Sequence, residues 1–464
     1  MKHISVNLPK TVPLIGKHQV VVIGGGPGGI TSALAAARNG SEVCLIEHYG
    51  FLGGMATAGE VNPFMENHLK NESLDKGIYT EWLDKMKQYG GAKGRVFDPI
   101  AARITAEEMC LAAGVKLLYH HRVAHVEMDG DKISAAVLHS KSGLVAIQAD
   151  VFIDSTGDGD LAALAGAQFD VGGEQTGNVQ PMTLCFKLKL KSPEDASKVN
   201  QFKRTDVFKA VQEAYLIAQR EGKTSNPREN VLMFEGVDPS IVHFNSTRVI
   251  HKLSTIGTEL SEAEIEGRKQ ARELIHILQK EIPLFKDCEI HSMASQIGIR
   301  ESRRIKGHFF MTRNDYVNQQ KYQDGITRVN YPIDIHNPNG KGTEITHLPS
   351  GAWYEVPYRC LLPLEINNLI IGSRCISADH AVHSSMRVMP VVMSIGQAAG
   401  TAAALSIQKH ILPKEVNSKK LIQTLISQGR NLEPEKFDDF ITTSEDEKAK
   451  LERINIKRAA VMTA

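Results

Sequence analysis

The stretch Gln19 to Glu47, QVVVIGGGPGGITSALAAARNGSEVCLIE, decides the fold. Residues 19–23 are a continuous β-branched run, as expected of a strand buried on both faces in a parallel sheet. Residues 30–39 follow as an Ala-rich helix, and 41–47 resume strand character. Strand, helix and strand in this space form a βαβ unit, whose crossover is right-handed and which belongs to a doubly wound sheet. The expected fold class is α/β, with a Rossmann-type nucleotide-binding domain.

The turn inside that unit carries the chemistry. Gly24, Gly26 and Gly29 stand in the spacing G-x-G-x-x-G, with Ala33 four residues further on. Gly24 permits the tight turn, Gly26 lets the backbone approach a pyrophosphate, and Gly29 with Ala33 allows close helix–strand packing. The helix dipole and the free amides of its first turn favour an anion there, and Pro27 at the helix start loses no intrahelical bond. Glu47, ending the second strand, has the offset of the acid that takes ribose hydroxyls. Taken alone, such a turn leaves NAD and FAD equally open.

Outward from this unit, residues 74–89 have helical period and are broken by GGAKG, as an inserted segment over about 70–100; 104–113 is a further helix. Short strands at 115–119, 122–128, 132–139 and 144–148, separated by turns, fit a β-meander, and 151–155 returns to a buried apolar strand. Residues 172–353 mix strands, such as 182–190, with charged helices, such as 261–278, and are expected to form a mixed α+β substrate domain. An apolar strand at 368–372 and a small-residue helix at 390–407 then complete the first fold. The expected domains are therefore 1–171 and 354–410 for the nucleotide-binding unit, 172–353 for the substrate domain, and 411–464 for a helical tail.

Composition narrows the function classes. The 464 residues include 54 Lys+Arg against 53 Asp+Glu, so no global field marks a nucleic-acid or anionic-lipid partner. Six scattered cysteines contain no CxxC pair, which argues for buried thiols rather than a thiol–disulfide centre or zinc site. Residues 1–19 lack the apolar core of a secretory signal, and no apolar run suggests a membrane span. A cytoplasmic location is expected.

Three further segments join the fingerprint: Gly53-Gly54-Met55-Ala56-Thr57, then 153–159 (IDSTGDG), then 371–380 (IGSRCISADH) leading to 396–400 (GQAAG). In these segments the chain resembles the FAD-dependent oxidoreductase family with a glutathione-reductase-type FAD-binding fold, in the branch sharing GGMAT and IGxRESRRIxG. The likeness covers nearly the whole chain up to the tail. It implies FAD as cofactor, with Gly24, Gly26, Pro27, Gly28 and Gly29 at the pyrophosphate and Glu47 and His48 at the adenosine ribose. It further implies Gly53, Gly54, Met55, Ala56 and Thr57 near the ribityl and flavin, Val123 at adenine, and Thr156, Gly157 and Asp158 near the pyrophosphate. Arg374 stands where many members place an acid that contacts the ribityl chain. Arg387, Val388 and Met389 precede a helix whose N-terminus would face the flavin pyrimidine.

For catalysis, His380 and His383, beside Asp379, fall in the loop expected to face the flavin. A histidine can move a proton as hydride passes to or from the ring. Hydrogen bonding to the loop backbone explains the same residues equally well. No third ligand accompanies this pair, so no metal is expected. Arg300, Arg303 and Arg304 of IGIRESRRIKG can clamp an anion, or form an ion-pair network with Glu301 and Asp315. His243, Asn245 and Thr247 alternate on one strand face, with Arg248 on the other, as a polar pocket wall or a solvated sheet face.

The leading expectation is an enzyme exchanging hydride between FAD and a small polar substrate, by alcohol oxidation or C=C reduction. No second GxGxxG is present for NAD(P)H, so the electron donor or acceptor is left open, as is a homo-oligomer. An RNA-binding flavoprotein of tRNA modification needs a basic stripe, and the lysines of 187–198 and 448–457 are interleaved with acids and apolar residues. A flavin-bound scaffold without turnover is the third alternative.

Overall fold

A computed structural model describes residue 4 and residues 10–69, 72–191 and 206–432. The stretch 448–457, the second half of 187–198 and the tail beyond 432 lie outside the described residues. The opening motif forms strand β1 (Leu14–Ile23), helix α1 (Pro27–Arg38) and strand β2 (Val43–Ile46). Five parallel strands lie in the order Lys116–Leu118, β2, β1, Gly143–Asp154, Leu369–Ile371. The strand order reverses between β1 and Gly143–Asp154, and the crevice at such a switch point is where this architecture receives ligands. Val20, Val21 and Val22 are fully buried, as the β-branched run requires of a strand covered on both faces.

Two sequence expectations change. Residues 144–148 and 151–155 are one strand, Gly143–Asp154, whose first half pairs antiparallel with Lys132–Ser140 and whose second half pairs parallel with Leu369–Ile371. Residues 116–118 join the parallel sheet rather than the meander. Helix Pro99–Ala112 supplies the crossover that makes that strand parallel. It begins at Asp98, whose carboxylate accepts from the Ile100 and Ala101 amides, with Pro99 in the first turn.

Helix α1 lies against helix Met389–Lys409 through small residues. A Cβ on Gly396 would come within 2.2 Å of the Gly28 carbonyl oxygen, and one on Gly400 within 2.0 Å of the Ser32 oxygen. The Ser32 hydroxyl donates to the Gly396 carbonyl at 3.0 Å. Met389–Lys409 is also the one helix among the described residues with the length and hydropathy of a membrane span, and 94% of that window is buried inside the molecule.

A second core stands on a four-stranded antiparallel sheet ordered Met233–Glu235, Ile241–Phe244, Phe186–Lys189, Glu289–Met293. Helices Asp206–Arg220 and Gly257–Glu281 cover it through Val211, Tyr215, Leu274 and Leu278. Phe186 stacks on Phe244 at 4.8 Å between ring centroids.

Candidate active site

One cavity of about 670 Å³ opens at the switch point and runs from the parallel sheet to Thr183, Cys185, Leu260 and Ile299. Gly24 leaves β1 at φ +101°, in the left-handed region where a side chain is disfavoured, and a Cβ there would meet the Ser155 carbonyl oxygen at 2.4 Å. Helix α1 starts at Gly26 with no side chain capping it, so its first-turn donors stay available to an anion. The buried Glu47 carboxylate accepts from the Gly25 amide at 2.7 Å and the Tyr49 amide at 2.9 Å. The His48 ring lies 2.7 Å from the same carboxylate. A dinucleotide fits this cradle: Gly24 to Gly26 carry no Cβ atoms, the start of helix α1 is uncapped, and the Gly25 and Tyr49 amides fix the Glu47 carboxylate where a ribose would be received.

The GGMAT loop forms a short 3-10 turn over Gly54–Ala56, entered through Gly53 at φ +110°. Gly54 and Met55 line the cavity, while Gly53, Ala56 and Thr57 hold the loop from behind. The Gly53 amide donates to the Gly25 carbonyl at 2.8 Å, and the Thr57 hydroxyl to the Leu52 carbonyl at 2.7 Å. Thr156, Gly157 and Asp158 line it after the Gly143–Asp154 strand, fixed by Asp154, which accepts from the Thr156 amide and hydroxyl. Arg374 pairs with Asp158 at 2.5 Å.

Gly24, Gly26, Pro27, Gly28, Glu47, His48, Val123, Arg374, Arg387, Val388 and Met389 also line the cavity. Gly29 does not: it packs behind the turn, where a Cβ would sit 1.8 Å from the Gly24 oxygen. Helix Met389–Lys409 presents its uncapped start to the cavity through Val388 and Met389.

The facing wall was not legible as a site in the sequence. Tyr331, Asp334 and His336 line it beside Arg300. The Tyr331 hydroxyl donates to Asp334 Oδ2 at 3.3 Å, and Arg387 lies 3.8 Å from the same oxygen. His336 is held well below its ordinary range by burial and by Arg300, Arg387, Arg228 and Arg248, so it is a neutral imidazole. Arg248 only donates and lies 3.3 Å from Nδ1; the proton is therefore on Nε2, which is 3.6 Å from Asp334 Oδ2. Asp334 and His336 are two apart on strand Ile333–His336, and that period-two polar pair was the available signal.

His380, His383 and Arg303 are not on the cavity wall. The His380 ring donates from Nδ1 to Glu301 at 2.8 Å, and Glu301 also holds Arg304 at 2.6 Å. His383 is wholly buried, and burial followed by nearby Arg304 and Arg387 pushes it well below its usual range. Arg303 pairs with Asp160 at 2.8 Å and donates to the Asp158 carbonyl. The ion-pair network thus forms with Glu301, but Asp315 instead caps the Arg313–Val317 helix. Strand Ile241–Phe244 ends before the expected alternation is complete. Asn245 reaches the cavity, His243 is buried and pushed down to about 3 by that burial, and the Thr247 hydroxyl receives the Leu184 amide. Arg248 is buried, held by the Gly340 carbonyl and Glu229.

Residues 19–425 match the family described as FAD dependent oxidoreductase. The chain belongs to that family. This FAD dependent oxidoreductase is accordingly an enzyme with FAD as its cofactor. Thiamine thiazole synthase of Methanococcus vannielii is 31% identical to it over 149 residues, 30% of this chain and 55% of the relative. The chain spans about half the length of that curated relative. Among solved structures, it aligns with p-nitrophenol 4-monooxygenase PnpA from Pseudomonas putida DLL-E4 over 95% of this chain and 93% of that one, at TM-score 0.47 and 10% identity. A geranylgeranyl bacteriochlorophyll reductase-like protein from Thermoplasma acidophilum aligns over 94% and 96%, at TM-score 0.45 and 11% identity.

Proposed function

We propose that this oxidoreductase exchanges hydride between FAD and a small polar substrate, by alcohol oxidation or C=C reduction. The observation that carries this reading is a single cavity with a dinucleotide cradle on one wall and Arg300, Tyr331, Asp334 and His336 on the other. Gly24 to Gly28, Glu47, His48, Met55, Val123, Thr156 to Asp158 and the start of helix Met389–Lys409 would hold the cofactor. Bound FAD supplies a ring that takes or gives the hydride.

On the facing wall, Asp334 is the acid–base group in place of His380 and His383. In alcohol oxidation the substrate hydroxyl gives its proton to Asp334 as its carbon gives up hydride, leaving a carbonyl. The Tyr331 hydroxyl orients that carboxylate. The electrons leave to a second substrate, dioxygen, a quinone or a partner protein. Six free, buried thiols support a reducing, cytoplasmic setting.

The test is anaerobic bleaching of the flavin absorbance across hydroxy acids, sugars and simple alcohols, with reoxidation of reduced enzyme by unsaturated acids as the reverse. Asp334→Asn is expected to slow flavin reduction by about two to four orders of magnitude while FAD stays bound. Unchanged reduction removes Asp334 from the chemistry, and a colourless protein that ignores added FAD overturns the whole reading.

A further inference from the structure

The facing wall holds more positive than negative charge. Arg228, Arg248, Arg300 and Arg387 lie close enough to act on one another and on His336, and the carboxylates in the same field are Asp334 and Glu229. Glu229 is already paired with Arg248 at 3.0 Å, and Asp334 is shared between Tyr331 and Arg387. Arg300 has neutral partners: one guanidinium nitrogen donates to the Pro181 carbonyl and the Thr183 hydroxyl, both at 2.6 Å. Arg228 has a buried guanidinium nitrogen, Nη1, with no hydrogen-bond partner. Burial, together with the neighbouring cations, pushes Arg300 down to about 9 and Arg228 to about 10. Buried charge of one sign is costly unless a counter-charge arrives.

These guanidinium groups stand apart from the proposed phosphate cradle. Among the described residues, none of these four guanidinium groups hydrogen-bonds the Gly24–Gly29 turn or the Thr156–Asp158 loop, where the phosphate-binding features lie. Arg300 and Arg387 nevertheless line the cavity directly. A planar guanidinium fork matches a carboxylate, and the neutral imidazole of His336 adds an N–H donor without adding charge.

We propose that this wall is an anion-recognition site and that the substrate is a small organic carboxylate, its carboxylate group seated on Arg300 with Arg387 at its flank. This deepens the hydride-exchange reading: it names the group that anchors the molecule whose carbon faces the flavin. It also separates the anchoring residue, Arg300, from the acid–base residue, Asp334.

The experiment titrates the full flavin-loaded chain with lactate, malate and succinate, in parallel with the corresponding amides, inorganic phosphate and chloride. Perturbation of the visible flavin spectrum and the shift in Tm are read. The carboxylates are expected to bind saturably and their amides at least about thirtyfold more weakly; Arg300→Gln should weaken carboxylate binding by a similar factor. Amides that bind as well as the acids overturn the proposal, as do phosphate or chloride that bind as well as any carboxylate, or Arg300→Gln with unaltered affinity. If Arg300→Gln does not fold, the acid-against-amide comparison on the unaltered chain decides. If the protein takes up no flavin, carboxylate-dependent Tm shifts still decide the anion site while the hydride reading falls.

Discussion

At the scale of single residues, Asp154 shows how burial and function meet. Its carboxylate ends the central strand, accepts from Thr156 and from the Ala162 amide, and so shapes the loop that lines the cavity. Burial, opposed by those hydrogen bonds, raises its pKa to about 6 from 3.8. The folded chain therefore keeps this proton after the unfolded chain has lost it. Its contribution to stability is present below about pH 4 and is lost as the pH rises to about 6, an effect of about 3 kcal/mol. Asp154→Asn is expected to flatten the dependence of Tm on pH between those limits; curves that stay parallel would refute this. The residues of the Gly-rich turn were legible because their chemistry is local. Tyr331, Asp334 and His336 were not, because what gives them meaning is Arg300 and Arg387, which come from distant segments. That His380 and His383 lie off the cavity wall was not legible for the same reason: position in the expected flavin loop does not say which way a ring turns, and Glu301 binds the first of them.

Among elements, the contact between α1 and Met389–Lys409 leaves the least room for change. Gly396 meets the Gly28 carbonyl, which is backbone and cannot swing aside. Gly396→Ala is expected to cost about 1–3 kcal/mol by overpacking, despite the better helix propensity of alanine, and to lower Tm and FAD retention together. Gly257, at the start of the Gly257–Glu281 helix, has nothing within 4 Å of its Cβ position and is the control, with Gly257→Ala neutral or slightly stabilising. An unaltered Tm in Gly396→Ala would show that the helices can part at little cost. The two helices themselves were readable from small-residue content and period. Their mutual approach was not, since it depends on which small residues face each other. The continuity of the Gly143–Asp154 strand was not legible because Ala149 and Asp150 look like a break, and the parallel pairing of Gln148, Ala149 and Val151 with Lys17, His18 and Val20 of β1 keeps the chain extended there.

Across the whole molecule, the cavity is assembled from segments as far apart as Gly24, Val123, Arg300 and Met389. A ligand bound at such a place ties these segments together in the folded state alone, so FAD is expected to raise Tm in a concentration-dependent way, by about 2.7 kcal/mol of stability at a hundredfold excess over Kd. A Tm indifferent to FAD would mean that the cradle does not close on it. The doubly wound class was legible from thirty residues because it rests on hydrophobic period and turn chemistry. The relation of the second core to the first was not, because long-range pairing leaves no local mark. One strand has a bearing on how the chain is made. Gly143–Asp154 receives its parallel neighbour, Leu369–Ile371, only after about 200 further residues have been synthesised. On the ribosome its C-terminal half therefore presents an unsatisfied edge while the entire second core emerges, and helix α1 waits longer still, about 350 residues, for Met389–Lys409 to cover it. The cavity itself is incomplete until Arg387, Met389 and Val392 have emerged, so the cradle and its facing wall are both left open through that interval.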